Sequence, residues 1–372
     1  MSTTSPSLTA SASALLAVHD ALLLDLDGVV YVGPDAVPHA TTSLQAAAAG
    51  GTKLAYITNN ASRTPQAVAQ HLRDLGAPAA DEDVVNSAQA AARYLAASLP
   101  AGSPVLLVGG TGLRVALEEA GLRPVDSRAD AAAVVQGFSP DMDWARLAEA
   151  THAVRSGLPW VATNMDATVP TPGGPAPGNG LLVELVARAA GRAPDVVCGK
   201  PERALFDAAV QRLGAHRALV VGDRLDTDLQ GARTAGLAGL LVLTGVTTVP
   251  DLLAAAPRER PSYVAHDLRG LGDVHPGVDV EEGDDLLVAR CRAARVEVSA
   301  TAASVVADDP GPDGLDVLRA AAAAAWRVRD GAAGRRATVD VLALVPQVQA
   351  SIRQPPVRAA VDEVGEDVAP GL

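Results

Sequence analysis

From about residue 20 to residue 275 the chain alternates short apolar runs with stretches of helical period, and glycine or proline stands at the joints. The runs "ALLLDLD", "KLAYITNN", "SPVLLVGG", "AAAVVQGF", "PWVATN", "HRALVVGD" and "LAGLLVLTG" read as strands. They are too uniformly apolar for a sheet with one wet face. The stretches between them, such as "TPQAVAQHLRDLG", "TGLRVALEEAG", "DWARLAEATHAVRSG", "LVELVARAAGR" and "PERALFDAAVQRLGA", read as helices. Strand and helix in strict alternation predict parallel sheets covered on both faces. Hydrophobic residues make up 48% of the chain but aromatics only 2%, so Ala, Val and Leu must fill the core. Local signals set some boundaries: a helix near residues 38–49, Ser62 as a helix N-cap, Gly76 and Gly236 as C-terminal stops, and Pro201 at a first helical position.

From about residue 276 the texture changes. "VDVEEGDDLLVARC", "ARVEVSATAASVVA", "LDVLRAAAAAAWRVRDG" and "RRATVDVLALVP" predict a small α+β unit, with a loose end at "EVGEDVAPGL". The start, residues 1–19, is small and polar without the basic segment of a signal peptide, and is expected to be a disordered tail. The net charge of −13 argues against a nucleic-acid partner. No apolar run approaches the roughly 20 residues that span a bilayer. Two cysteines, Cys198 and Cys291, form no framework, so a reduced, cytoplasmic protein is expected.

In parallel α/β sheets, ligands gather at the carboxyl ends of strands. There the sequence places Asp25 and Asp27 ("LLLDLDG"), Thr58 ("YITNN"), and Asp223 and Asp228 ("VVGDRLDTD"). It adds Lys200 in "CGKPE", one of only two lysines among 30 basic residues. A lysine kept against such an arginine bias suggests chemistry that a broad guanidinium cannot perform. Carboxylates with one lysine and one hydroxyl point to a hard cation, a phosphate and a nucleophile. Mg²⁺, which takes a few carboxylate oxygens, suits the set. A lone D-x-D after a strand is often only a turn or helix cap, and Thr58 and Asn59 could equally cap a helix.

The four motifs "DLDGVV", "ITNNAS", "GKP" and "VGDRLDTDLQGARTAG", in that order, resemble those of the haloacid dehalogenase superfamily, in particular its nitrophenylphosphatase-like subfamily. The resemblance covers about residues 20–275. It implies a doubly wound parallel-sheet hydrolase core of class α/β, carrying a large α/β cap inserted between the second and third motifs. The expected organisation is core over residues 20–80, cap over 81–196, core again over 197–275, and the α+β unit over 276–372. Carried over position by position, Asp25 would attack phosphorus and Asp27 would act as acid and then base. Mg²⁺ would be held by Asp25, the carbonyl of Asp27, and Asp223. Thr58, Lys200 and backbone amides near Asn59 and Asn60 would hold the phosphate. Asp228 would stand outside the metal's ligands, orienting its waters or Lys200. The implied activity is hydrolysis of a small phosphorylated metabolite. The extra C-terminal unit resembles the actinobacterial-type branch acting on glycerol 3-phosphate, with phosphoglycolate as the alternative. A non-catalytic regulator that binds a phosphometabolite is the reading from another class, and the retention of both Asp25 and Asp27 weighs against it.

Other features carry less. "VGGTGLR" (residues 108–114) lacks the full dinucleotide-loop spacing and reads as a tight strand-to-helix turn. "TPGGPAPGNG" (171–180) would lie at the mouth between cap and core. His19 and His152 lack metal-ligand spacing, and Cys198 reads as a small hydrophobe. The C-terminal "RVRDGAAGRRATVDVLALVP" is similar to a segment of acetyltransferase-like folds but departs from their glycine spacing. A structural or dimerisation module, with a homodimer as the assembly, is expected there.

Overall fold

The protein was analysed as a computed structural model that describes residues 8–171, 173–331 and 339–353. The central sheet has six strands, in the order Tyr263–Ala265, Ala238–Val242, Ala218–Gly222, Ala21–Leu24, Lys53–Thr58 and Val84–Asn86. Every neighbouring pair is parallel. The chain leaves Ala21–Leu24 toward one edge, and after the insertion it returns on the other side of that strand. Ala21–Leu24 therefore marks the topological switch, where an open parallel sheet leaves a crevice at its carboxyl end.

All four residues of this strand are fully buried, because successive side chains serve opposite layers. Leu22 and Leu24 pack with Tyr56, Leu44, Leu72, Val221 and Val242 on one face. Ala21 and Leu23 pack with Ala55, Ile57, Val220 and Phe206 on the other. The uninterrupted apolar pattern read from "ALLL" has this cause.

The inserted unit is a second parallel sheet, ordered Val196–Val197, Trp160–Ala162, Ala133–Gln136, Pro104–Val108 and Arg123–Val125. Two expected boundaries move. The strand Val84–Asn86, assigned to the cap by a boundary at residue 81, pairs with Tyr56–Thr58 in the central sheet. Val196–Val197 belongs to the cap sheet, so the chain crosses back only at Cys198.

The C-terminal unit is an antiparallel four-stranded meander, Asp279–Glu282, Leu286–Cys291, Ala294–Ser299 and Ala303–Ala307, followed by the helix Asp316–Asp330. Its apolar side is taken up within the chain. Leu287, Val296, Val298, Trp326, Val341 and Leu344 share one core with Leu241, Leu252, Leu253 and Val264 of the central domain. Trp326 Nε1 donates to the Leu252 carbonyl at 2.8 Å, and its ring lies under the Arg260 guanidinium at 5.2 Å.

Several local expectations change. Residues 8–19 are folded: Leu8 and Leu15 are buried, Thr9 N donates to Ser262 O, and Ser11 Oγ accepts from His275 N. Thr64, rather than Ser62, caps the helix Pro65–Asp74, its side chain accepting from Ala67 N. The proline after Lys200 precedes its helix, which begins at Arg203 behind Glu202. Residues 1–7 of the expected tail, residues 332–338 and the chain end (354–372) lie outside the described residues. Among the described residues no helix is long and apolar enough to cross a membrane.

Candidate active site

The crevice at the carboxyl end of Ala21–Leu24 is built from four chain segments. Asp25 continues the strand ladder by one bond, N–H to Val221 O at 2.9 Å. Leu26 turns back into the core, Asp27 faces the opening, and Gly28 reverses the chain at φ +82°. A Cβ on Gly28 would lie 2.7 Å from Asp223 Oδ2, so both its conformation and its neighbour require glycine.

Asp223 and Asp228 arrive from the strand Ala218–Gly222. A side chain on Gly222 would overlap Asp228, whose Cβ lies 2.2 Å from where that atom would be. The bare glycine therefore lets the turn 225–229 fold back and bring Asp228 beneath the strand end. Asp228 is fully buried and accepts from Arg224 N at 3.2 Å.

Lys200 comes from the turn following the last cap strand. Its Nζ donates to Asp25 Oδ1 at 2.6 Å and to Asp228 Oδ1 at 2.7 Å. Burial alone would lower the ammonium's pKa, but Asp228 and Asp25 outweigh it and the pKa rises. The lysine is thus held charged.

Ligand atoms of Asp25, Asp223 and Asp228 all lie within 4.8 Å of one another, against a single ammonium. Burial, then the charge of Asp25, pushes Asp223 up to about 6, and the same causes raise Asp228. Asp223 Oδ2 accepts from Val246 N at 2.7 Å, while its buried Oδ1 has no partner. Three close carboxylates with one orphaned oxygen fit a hard divalent cation, which supplies the missing positive charge. The side chain of Asp27 stands outside this cluster. It is accessible from the cleft, and the desolvating walls, then Asp25, push its pKa up to about 6. A carboxyl near that value can give up a proton and take one back close to neutrality.

The strand Lys53–Thr58 brings in the hydroxyl. Thr58 is buried and its Oγ1 accepts from Asn60 N at 3.1 Å, which leaves the O–H as a donor to the crevice. Asn60 Oδ1 accepts from Ser62 N and Ser62 Oγ, closing the loop that follows. Asn59 follows Thr58 at the strand end and is buried. Its side chain points to the Lys200 backbone and to Asp166.

Five participants escaped the sequence reading: Ser87, Asn164, Asp166, Gly199 and Arg224. A signal existed for Asn164. "ITNN" ends a core strand and "ATNM" ends a cap strand, so a Thr-Asn pair recurs at two carboxyl ends. "VGGTGLR" is the expected turn, with a second task. A Cβ on Gly112 would sit 2.7 Å from Ala61 O, so the glycine lets a cap helix rest on the core loop. Cys198 is buried and unpaired, and its thiol is pushed up to about 12 by burial.

The chain is similar to known proteins along most of its length. A family model described as haloacid dehalogenase-like hydrolase matches residues 22–123, and a HAD-hydrolase-like model matches residues 197–271. D-glycerol 3-phosphate phosphatase of Mycobacterium tuberculosis is 44% identical over 320 residues, covering 84% of this chain and 87% of that protein. The crystal structure of a glycerol phosphate phosphatase from Mycobacterium tuberculosis in complex with magnesium superimposes with a TM-score of 0.75 at 42% identity, over 85% of this chain and 92% of that one. The p-nitrophenyl phosphatase from Archaeoglobus fulgidus aligns with a TM-score of 0.64 at 29% identity, over 68% of this chain and 98% of its own.

Proposed function

The chain belongs to the haloacid dehalogenase-like hydrolases, and within that family we propose that it is a magnesium-dependent phosphatase releasing glycerol and phosphate from glycerol 3-phosphate. The observation that carries the chemistry is the group at the carboxyl ends of two neighbouring strands: Asp25, Asp223 and Asp228 within 4.8 Å, with Lys200 bridging Asp25 and Asp228. The substrate rests on the 44% identical relative, matched over a span too long to stop before the C-terminal unit.

Lys200 holds Asp25 Oδ1, leaving Oδ2 to attack phosphorus. As the phosphorus–oxygen bond to glycerol breaks, Asp27 gives its proton to the departing alkoxide. Ionised Asp27 then takes a proton from the water that attacks the aspartyl-phosphate, which frees phosphate and restores Asp25. Asp228 keeps Lys200 oriented, and Thr58 donates to a phosphoryl oxygen. Magnesium, held by Asp25 and Asp223, would supply positive charge opposite the phosphoryl oxygens. We place the reaction in the cytoplasm, whose reducing conditions suit the buried free thiols of Cys198 and Cys291.

Phosphate release is to be measured from glycerol 3-phosphate, phosphoglycolate and 4-nitrophenyl phosphate, with Mg²⁺ and with EDTA. The expected result is Mg²⁺-dependent turnover, with the highest kcat/KM on glycerol 3-phosphate and none in Asp25→Asn. Turnover that survives Asp25→Asn removes the nucleophile. A higher kcat/KM on phosphoglycolate removes the substrate.

A further inference from the structure

Lys200 must be placed to within a fraction of an ångström to serve both Asp25 and Asp228, yet it sits on a turn. The nearest preceding strand, Val196–Val197, belongs to the cap sheet. Left to that connection, Lys200 would follow the cap rather than the catalytic carboxylates. The contacts of Asn59 bear on this. Its Oδ1 accepts from Lys200 N at 2.7 Å and its Nδ2 donates to Lys200 O at 3.1 Å. One carboxamide thus grips both peptide groups of the lysine, in the way a neighbouring strand would.

The same residue gathers the cap's connections. Its carbonyl accepts from Ser87 Oγ at 2.6 Å, at the start of the helix leading out to the cap, and from Asn164 Nδ2 at 2.7 Å, in a cap loop. Its Nδ2 also donates to Asp166 Oδ1 at 3.0 Å. Gly199 has no side chain where Asn59 Oδ1 and Thr163 O approach to 2.5 and 2.6 Å of its would-be Cβ. Asn59 and Asn164 are both nearly buried, and their amide groups are spent on these contacts.

We propose that Asn59 is a positioning residue: its carboxamide pins the main chain of Lys200 to the core sheet and so sets where the ammonium meets Asp25 and Asp228, while Ser87, Asn164 and Asp166 lock the cap to the same point. The proposal rests on the phosphatase reading for its rate measurements. A residue acting through Lys200 should lose its effect once Lys200 is gone, whereas a general structural role would persist.

The test is a double-mutant cycle on the full chain with 4-nitrophenyl phosphate at saturating Mg²⁺, alongside calorimetric binding of inorganic phosphate. Asn59→Ala is expected to lower kcat roughly 10–100-fold, the cost of a misplaced catalytic group. In a Lys200→Ala background the same change should cost less than about 3-fold, with phosphate affinity following the same pattern. An equal loss in both backgrounds, or a wild-type rate in Asn59→Ala, overturns the proposal. If Asn59→Ala does not fold by circular dichroism, Asn59→Asp keeps the acceptor for Lys200 N and removes the two donated bonds. It should then show a reduced kcat, and a wild-type kcat overturns the proposal. A wild-type chain that hydrolyses no ester defeats the phosphatase reading alone, since the cycle is then read from phosphate binding.

Discussion

Asp27 lies two residues beyond Asp25, the proposed nucleophile, and this offset separates two carboxyl groups by environment. Asp25 is committed to Lys200, and Asp27 is left to the cleft with its pKa pushed up to about 6 by burial and by Asp25. A poor leaving group such as the glycerol alkoxide needs the Asp27 proton, while nitrophenolate departs without it. Asp27→Asn should therefore lower kcat roughly 10²–10⁴-fold on glycerol 3-phosphate. The loss on 4-nitrophenyl phosphate should be smaller in the first step, with phosphoenzyme accumulating in rapid-quench experiments. Equal losses on both esters, with no trapped phosphoenzyme, would count against the acid–base role. The side-chain types at this scale were legible: the acids, the hydroxyl and the scarce lysine each carry recognisable chemistry. Asn59 was not, because an amide can face a ligand or a backbone with equal ease.

At the scale of elements, the helix Asp316–Asp330 is the part whose environment departs most from its local pattern. Its run of alanines carries little bulk, and residues on nearly all its sides are buried. The meander packs on one side and the central domain on another. Trp326 is the large side chain in that seam, 2% exposed and bonded to Leu252 O. Trp326→Ala should cost about 3–5 kcal/mol in urea unfolding, the range for an aromatic removed from a packed core. A loss below about 1 kcal/mol would mean the seam closes without it. Helix ends were read one to three residues off where side-chain caps compete: Ser62 is drawn to Asn60, so Thr64 takes the cap.

For the whole molecule, the question is how the C-terminal unit is fastened. Arg319 is buried and joins Asp313 and Asp316 to the Val264 carbonyl of the central sheet's edge strand. Burial raises the Asp313 pKa, but the Arg319 hydrogen bonds and charge outweigh it, and the net shift is downward. A depressed carboxylate contributes stability above its unfolded pKa of about 3.9 and loses it as pH falls through the folded value. Asp313→Asn should therefore melt below wild type at pH 7, and the gap should close in acid below pH 4. A gap independent of pH between 7 and 3 would show that the ion pair is not the cause. Removal of everything after Gly277 strips Leu241, Leu252, Leu253 and Val264 of their cover. The candidate site residues all precede that point, so a truncated chain is expected to keep them but to unfold at lower urea than the full chain.

The sequence by itself determined the strands, their parallel arrangement and the acids at their ends, because period, apolar runs and turn residues are local properties of the chain. It also determined the order of four motifs, whose residues Asp25, Asp27, Thr58, Lys200, Asp223 and Asp228 are the ones proposed for the site. Only the tertiary structure decided that Val84–Asn86 belongs to the core sheet, since a short buried strand reads the same in either sheet. Only it decided that residues 8–19 fold back onto the domain and that the C-terminal unit shares a core with it. Burial depends on which surfaces meet, and residues 252 and 326 or 59 and 200 meet only when the chain has closed. The grip of Asn59 on Lys200 is of this kind: a contact across 141 residues, made by two polar groups whose local sequences give no sign of each other.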